Sequence, residues 1–172
     1  RALKELSPRQ YGDFRAALDA LIKADQNVSL FEYLLWTVVV RTLDVHFGLR
    51  QPAEAPHRSV AAIARPAMTV LEKLAAVGHD SRQEAEAALA AGLVTLGLPP
   101  TGIALRSVPL AEFDAALGEL GRAAPEVERR IVAACAATVG NDGQATIAES
   151  EMLRAVCSVL GCPMPPLLPT AA

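Results

Sequence analysis

Aromatic residues are scarce, at 4% of the chain, and β-branched residues come in short, scattered runs. A sheet made from such material would have little to cover its faces with. The 52% hydrophobic fraction is mostly alanine, leucine and valine, a composition that favours helices. Long runs of Lys or Arg are also missing. Sixteen basic residues against nineteen acidic ones leave a formal net charge of -3, so no stretch is built to follow a phosphate backbone and nucleic acid is not an expected partner. Cysteine is too sparse for a disulfide framework. Cys135, Cys157 and Cys162 are odd in number and sit among apolar residues, which reads as packed, reduced thiols in a reducing compartment, the cytosol. No charged-then-apolar leader follows Arg1, and the missing methionine reads as a segment cut from a longer protein. The longest uncharged run, residues 87–105, is interrupted by Pro99-Pro100 and by glycines, so no membrane span is expected within the segment.

What the chain does contain is a series of helix starts and stops. With 172 residues it can form one domain or one duplicated unit, burying about two-thirds of its unfolded surface. Ser7-Pro8-Arg9-Gln10 sets a serine cap, a proline in the first turn and a glutamine that reaches back. Phe14, Leu18, Leu21 and Ile22 give this first helix, to about Ala24, its apolar positions. Ser29-Leu30-Phe31-Glu32 opens a second helix through Trp36 to about His46. A polar loop over 48–56 precedes a third, over 60–77, interrupted or restarted at Pro66. Ser81 opens a fourth that closes near Gly97, and Pro99-Pro100-Thr101-Gly102 is the clearest break. Pro109, Pro125 and Thr146 open three more, the last ending near Gly161. The expectation is an all-α fold of about seven helices, with the proline-rich tail from Cys162 non-helical.

The strongest pattern is internal. Residues 14–43 laid over 131–160 align two helical hairpins at an offset of 117, and their links share one grammar. Asp25-Gln26-Asn27-Val28-Ser29-Leu30-Phe31-Glu32 matches Asp142-Gly143-Gln144-Ala145-Thr146-Ile147-Ala148-Glu149: Asp first, an amide two residues on, a hydroxyl cap, and Glu at the eighth place. One reading is structural. Ser29 or Thr146 accepts from the backbone N–H three residues on while Glu32 or Glu149 bonds back, a capping box worth about 1 kcal/mol, and Asp25 or Asp142 closes an Asx-turn. The other reading is a divalent-cation site, because Asp, amide, hydroxyl and Glu are oxygen donors that suit Ca2+ or Mg2+. An EF-hand is excluded, since the position for its bidentate glutamate holds Trp36 in one copy and Leu153 in the other. Asp25, Glu32, Asp142 and Glu149 are therefore the candidate metal ligands, with structural capping as the alternative.

The paired D-x-[NQ]-x-[ST]-x-x-E hairpins, with Ala148-Glu149-Ser150-Glu151-Met152-Leu153-Arg154-Ala155-Val156 after the second, resemble the tellurite-resistance TerB fold, most clearly over residues 8–47 and 125–161. Helices over 60–121 would connect them. That resemblance implies a single TerB-like helical bundle over 1–172 with an acidic site. Leu6-Ser7-Pro8, Leu30-Phe31-Glu32-Tyr33 and Cys162-Pro163-Met164-Pro165-Pro166-Leu167 are similar to the carboxy-terminal part of HtpX-like, membrane-anchored bacterial zinc peptidases. This implies a parent on the cytoplasmic side of the inner membrane whose Zn2+ site, an H-E-x-x-H helix, lies in an upstream domain. On that reading the segment is a non-catalytic regulatory or interaction module, its partners the upstream peptidase domain and other proteins, and the membrane is met only through the parent.

The remaining residues add no catalytic expectation. His46, His57 and His79 are isolated, without the paired spacing of a zinc site. Asp44 and His46 flank Val45 at the end of the second helix, where a cationic side chain meets the helix dipole. No G-x-S-x-G elbow is present, and Cys135 and Cys157 lie on apolar helix stripes as core residues. Phe31, Tyr33, Trp36 and Phe47 read as core and interface; a metal-free interaction module, with the second-helix face around Phe31, Tyr33 and Trp36 or the proline-rich tail as its contact, is the second functional hypothesis.

Overall fold

The computed structural model describes residues 2–24, 29–49, 56–100 and 104–166. Asp25 lies outside these residues, and so does Ile22 as far as its side chain is concerned. Among the described residues the chain is all-α. Seven α-helices run in order: α1 Pro8–Ala24, α2 Leu30–His46, α3 Ala64–Gly78, α4 Arg82–Leu96, α5 Leu110–Leu120, α6 Pro125–Val139 and α7 Ile147–Leu160. Short 3-10 turns cover Ala2–Glu5 and Ala61–Ile63. The chain divides into two compact units, Arg1–Pro52 and Ala53–Ala172.

The first unit is held by polar contacts as much as by apolar ones. Ser7 Oγ accepts from Gln10 N at 3.3 Å and Gln10 Oε1 accepts from Ser7 N at 2.9 Å, so α1 begins with a reciprocal cap. Tyr11 is fully buried. Its ring stacks on Phe47 at 4.4 Å, and its hydroxyl donates to Asp44 Oδ1 at 2.6 Å. Arg15 Nη1 donates to the same oxygen at 2.8 Å, so the half-exposed guanidinium neutralises a carboxylate that α2 buries. Trp36 Nε1 donates to Asp19 Oδ1 at 3.1 Å. The α1 face differs from the one the spacing predicts. Phe14 and Leu18 are only partly covered and Leu21 is 67% exposed, because the turn that meets α2 is the one carrying Tyr11 and Arg15.

In the second unit α3 lies against α4, α5, α6 and α7, and α4 packs along α6. The core holds Leu71, Leu74, Leu93, Phe113, Leu120 and Met152, all essentially without solvent contact. The close approach of α4 to α6 depends on Gly92. A Cβ there would overlap Thr138 Oγ1 and stand 3.2 Å from the Ala134 carbonyl, so the helices can interlock only while that position has no side chain. Helix ends follow the sequence signals. Ser81 Oγ accepts from Glu84 N at 3.2 Å, Pro125 occupies the first turn of α6, and α4 and α7 stop before Gly97 and Gly161. Arg130 Nη2 donates to Leu96 O at 2.7 Å, closing the end of α4. The segment before α3 is tied to the turn before α6 by His57 N to Arg122 O at 3.0 Å and Ala124 N to His57 O at 2.9 Å.

Candidate functional site

Both repeated links form the capping box that their grammar predicts. At the start of α2, Ser29 Oγ accepts from Glu32 N at 3.2 Å, while Glu32 Oε2 accepts from Ser29 N at 2.8 Å and from Ser29 Oγ at 2.7 Å. At the start of α7, Thr146 Oγ1 accepts from Glu149 N at 3.2 Å, and Glu149 Oε2 accepts from Thr146 N and Thr146 Oγ1 at 2.8 Å each. Asp142 Oδ1 accepts from Gln144 N at 2.9 Å, the Asx-turn of the second link. The caps differ in setting. Glu32 is exposed, and the hydrogen bonds from Ser29, side chain first and backbone second, hold its pKa below the usual carboxylate value. Glu149 is 2% exposed and lies over Gly78, where any Cβ would collide with its carboxyl group. The α7 cap is thus locked into the packing of α3 on α7.

One oxygen of Glu32 and one of Glu149 each receive two hydrogen bonds from the cap residue, and one oxygen of Asp142 is engaged by the backbone of its own loop. Among the described residues no three His, Cys, Asp or Glu side chains gather as a metal would require. His46 Nε2 meets the Lys4 carbonyl at 3.0 Å, His57 Nε2 lies 3.6 Å from Glu119 Oε2, and His79 Nδ1 meets the Ala75 carbonyl at 3.1 Å. Burial pushes the Cys135 thiol up to about 12 and the Cys157 thiol up to about 11, far from the range of an activated nucleophile.

The structure adds two features. The first is a buried carboxylate on α3. Glu72 is 4% exposed, with Oε2 paired to Arg106 Nε at 2.8 Å. Arg106 Nη1 also reaches Glu112 at 2.7 Å and Nη2 donates to Thr69 Oγ1 at 2.9 Å. Burial first, with the Glu112 carboxylate adding to it, raises the Glu72 pKa despite the opposing pull of Arg106. Together with Lys73 Nζ on the Val108 carbonyl at 2.9 Å, this cluster fastens the segment before α5 to α3. Its members are consumed by one another, and the arrangement is structural.

The second feature is the outer face of α2. Tyr33, Leu34, Val40 and Leu43 are buried, yet Phe31 is 63%, Leu35 54% and Val45 58% exposed, as is Leu49 just past the helix at 55%. Of the aromatic residues expected to make a contact surface, Phe31 is outside, Tyr33 is inside, and Trp36 is half-covered and tied to Asp19. A helix apolar on two faces has one face left after its own unit is packed. The signal was available in the chain, since Leu30 to His46 carries few polar residues, but the four exposed side chains separate from the buried ones only once α1 is in place. In the second unit a shallow cavity of about 350 Å3 is floored by buried Val60 and Val127 and rimmed by exposed Arg58, Ser59, Glu126 and Arg130.

Comparison of the chain with known protein families, with curated proteins and with solved structures gives no match.

Proposed function

We propose that this chain is a non-catalytic contact module of a larger protein, working through the outward face of α2, with its repeated links serving as helix caps. The observation that supports this reading best is the exposure of Phe31, Leu35, Val45 and Leu49 in one 52-residue unit. Exposed apolar side chains aligned on one helix face suit a surface on which another docks. The hydrogen bonds that engage Glu32, Glu149 and Asp142 support the caps.

The parent protein in this proposal is a membrane-anchored bacterial zinc peptidase of the HtpX type. The chain is its TerB-like domain over residues 1–172, on the cytoplasmic side of the inner membrane, and the zinc-binding helix lies upstream. The basis is the resemblance of the hairpins and tail. The coding sequence adjoining this segment tests it: a His-Glu-x-x-His helix flanked by apolar spans is expected, and an adjoining sequence without either refutes the parentage. The contact role is tested separately in the full-length protein. Replacing Leu35 and Val45 by glutamate should leave helicity and the dilute-solution melting midpoint unchanged while altering activity or assembly of the parent. Unaltered activity and assembly refute it. A Ca2+ or Mg2+ site at Asp25, Glu32, Asp142 and Glu149 is the rival for the acidic links, and a melting midpoint that rises with cation concentration would establish it over the caps.

A further inference from the structure

The end of α7 brings two thiols together. Gly161 follows the helix in the left-handed region, at φ 69° and ψ 21°, and the chain turns back so that Cys162 N donates to the Cys157 carbonyl at 3.0 Å. This is the long hydrogen bond of a Schellman turn, in which the residue after the glycine commonly touches, side chain to side chain, the helical residue whose carbonyl it reaches. Here both are cysteines. The hydrogen bond holds their Cα atoms no more than about 7 Å apart, and the bend of the turn brings them within the span that a disulfide bridges. Cys162 Sγ folds back over the helix end, 4.0 Å from the Leu160 carbonyl. Burial first, and then the nearby Cys162, raise the Cys157 thiol. Neither residue is in a disulfide, and their access differs: Cys157 is 3% exposed, while Cys162 is partly open to solvent.

We propose that Cys157 and Cys162 form a thiol–disulfide exchange site, which low-molecular-weight disulfides of the glutathione class oxidise to a bridge across the end of α7. The Cys162 thiolate attacks one sulfur of the small disulfide. That S–S bond breaks, the departing thiolate takes up the proton that Cys162 lost, and a mixed disulfide stands on Cys162. Cys157 then gives up its proton and attacks Cys162 Sγ, and the second small thiol leaves with that proton. Two protein thiols are oxidised and one small disulfide is reduced to two thiols. The order follows from access, because the small disulfide reaches Cys162, whereas Cys157 needs to reach only the neighbouring sulfur. A buried thiol ionises poorly, but its attack is intramolecular, and proximity offsets the scarcity of thiolate. Where reduced small thiols prevail the pair stays open. A rise in the small disulfide closes it and fixes the turn from which the proline-bearing segment 163–166 departs.

Peptide mapping tests the site. The fully reduced, native 172-residue chain is incubated with oxidised glutathione, trapped with N-ethylmaleimide in acidic denaturant and digested with trypsin. Cleavage after Arg130 and Arg154 places Cys135 in peptide 131–154 and both Cys157 and Cys162 in peptide 155–172. The expected product is peptide 155–172 lighter by two hydrogens, carrying neither maleimide nor glutathione, with Cys135 in the maleimide form; dithiothreitol should restore both thiols. Cys157→Ala should stop at a glutathione adduct on Cys162, and Cys162→Ala, at a partly exposed position, should gain neither adduct nor bridge. A wild-type peptide 155–172 that keeps both thiols, or that retains glutathione on Cys162, overturns the proposal. So does a bridge between Cys135 and Cys157, seen as peptides 131–154 and 155–172 joined, or a Cys162→Ala chain that gains glutathione on Cys157. The wild-type map decides the matter even if a variant does not fold, and its outcome is independent of the role assigned to α2.

Discussion

Replacing Gly78 by alanine sets two effects of opposite sign against each other. Alanine is the better helix former, by about 0.5–1 kcal/mol over glycine inside a helix, and less than that at the last residue of α3. Against this, the new Cβ would overlap Glu149 Oε1 and Cδ and lie 2.8 Å from Cγ. Glu149 could step aside if it were a free surface side chain, but it is 2% exposed and its Oε2 is bonded to Thr146 N and Oγ1. Moving it breaks the capping box, worth about 1 kcal/mol, and the crowding of α3 against α7 adds about 1–3 kcal/mol. The balance is a loss of about 2 kcal/mol, or about 8 °C in the thermal midpoint for a unit of this size. Calorimetry of Gly78→Ala, Thr146→Ala and the double variant measures it. The double variant should lose about 1 kcal/mol less than the sum of the singles, because both break the same box. A Gly78→Ala protein as stable as the wild type, or more so, or strict additivity, would show that the α7 cap and the α3 packing are not one device.

Further outcomes follow from the same geometry. Glu72→Gln should be neutral or stabilising at pH 7, since burial and the Glu112 charge together raise the Glu72 pKa despite Arg106 and Arg106 keeps Glu112; a loss above about 3 kcal/mol would mean the ion pair is a net gain. The sign with pH follows: a carboxyl whose folded pKa is raised binds more protons folded than unfolded. Its contribution to stability therefore falls as pH rises from the ordinary 4.5 through the raised value, and the Gln variant should lack this component in urea titrations run across pH. Glu32 acts the other way, its depressed pKa giving support above the ordinary value that disappears as pH falls through the folded one, in a titration followed by NMR. Thiol reagents at pH 7.5 should modify Cys162 in the native chain and leave Cys135 and Cys157 until unfolding, given their burial and raised pKa values; equal reactivity of all three by mass spectrometry would contradict the packing. Millimolar Ca2+, Mg2+ or Mn2+ should leave the melting midpoint unmoved if the links are caps, and a concentration-dependent rise would restore the cation site.

Helix identity was legible because it is written in local chemistry. Ser7, Ser29, Ser81 and Thr146 each accept from a backbone N–H in the first turn, and proline and glycine mark the remaining starts and stops. The reciprocal boxes at Glu32 and Glu149 were predictable for the same reason. What periodicity could not supply was which apolar residues face inward. Leu21 and Tyr11 share the helix α1, and only the distant Asp44 and Phe47 decide that Tyr11 is the one buried. The burial of Glu72 was equally hidden, since it depends on Arg106 arriving from a segment more than thirty residues away. Gly78 is the last residue of α3, and the room it leaves for the Glu149 carboxyl exists only in three dimensions.

The claim that the outer face of α2 is a contact surface is tested most directly by hydroxyl-radical footprinting of the full-length protein in its native assembly, set against this chain alone and dilute. Phe31 and Leu35, 63% and 54% exposed, should be oxidised readily in the dilute chain and protected severalfold in the assembly, with buried Tyr33 protected in both. Equal oxidation of Phe31 and Leu35 in the two samples would contradict the account, leaving that face as bare surface.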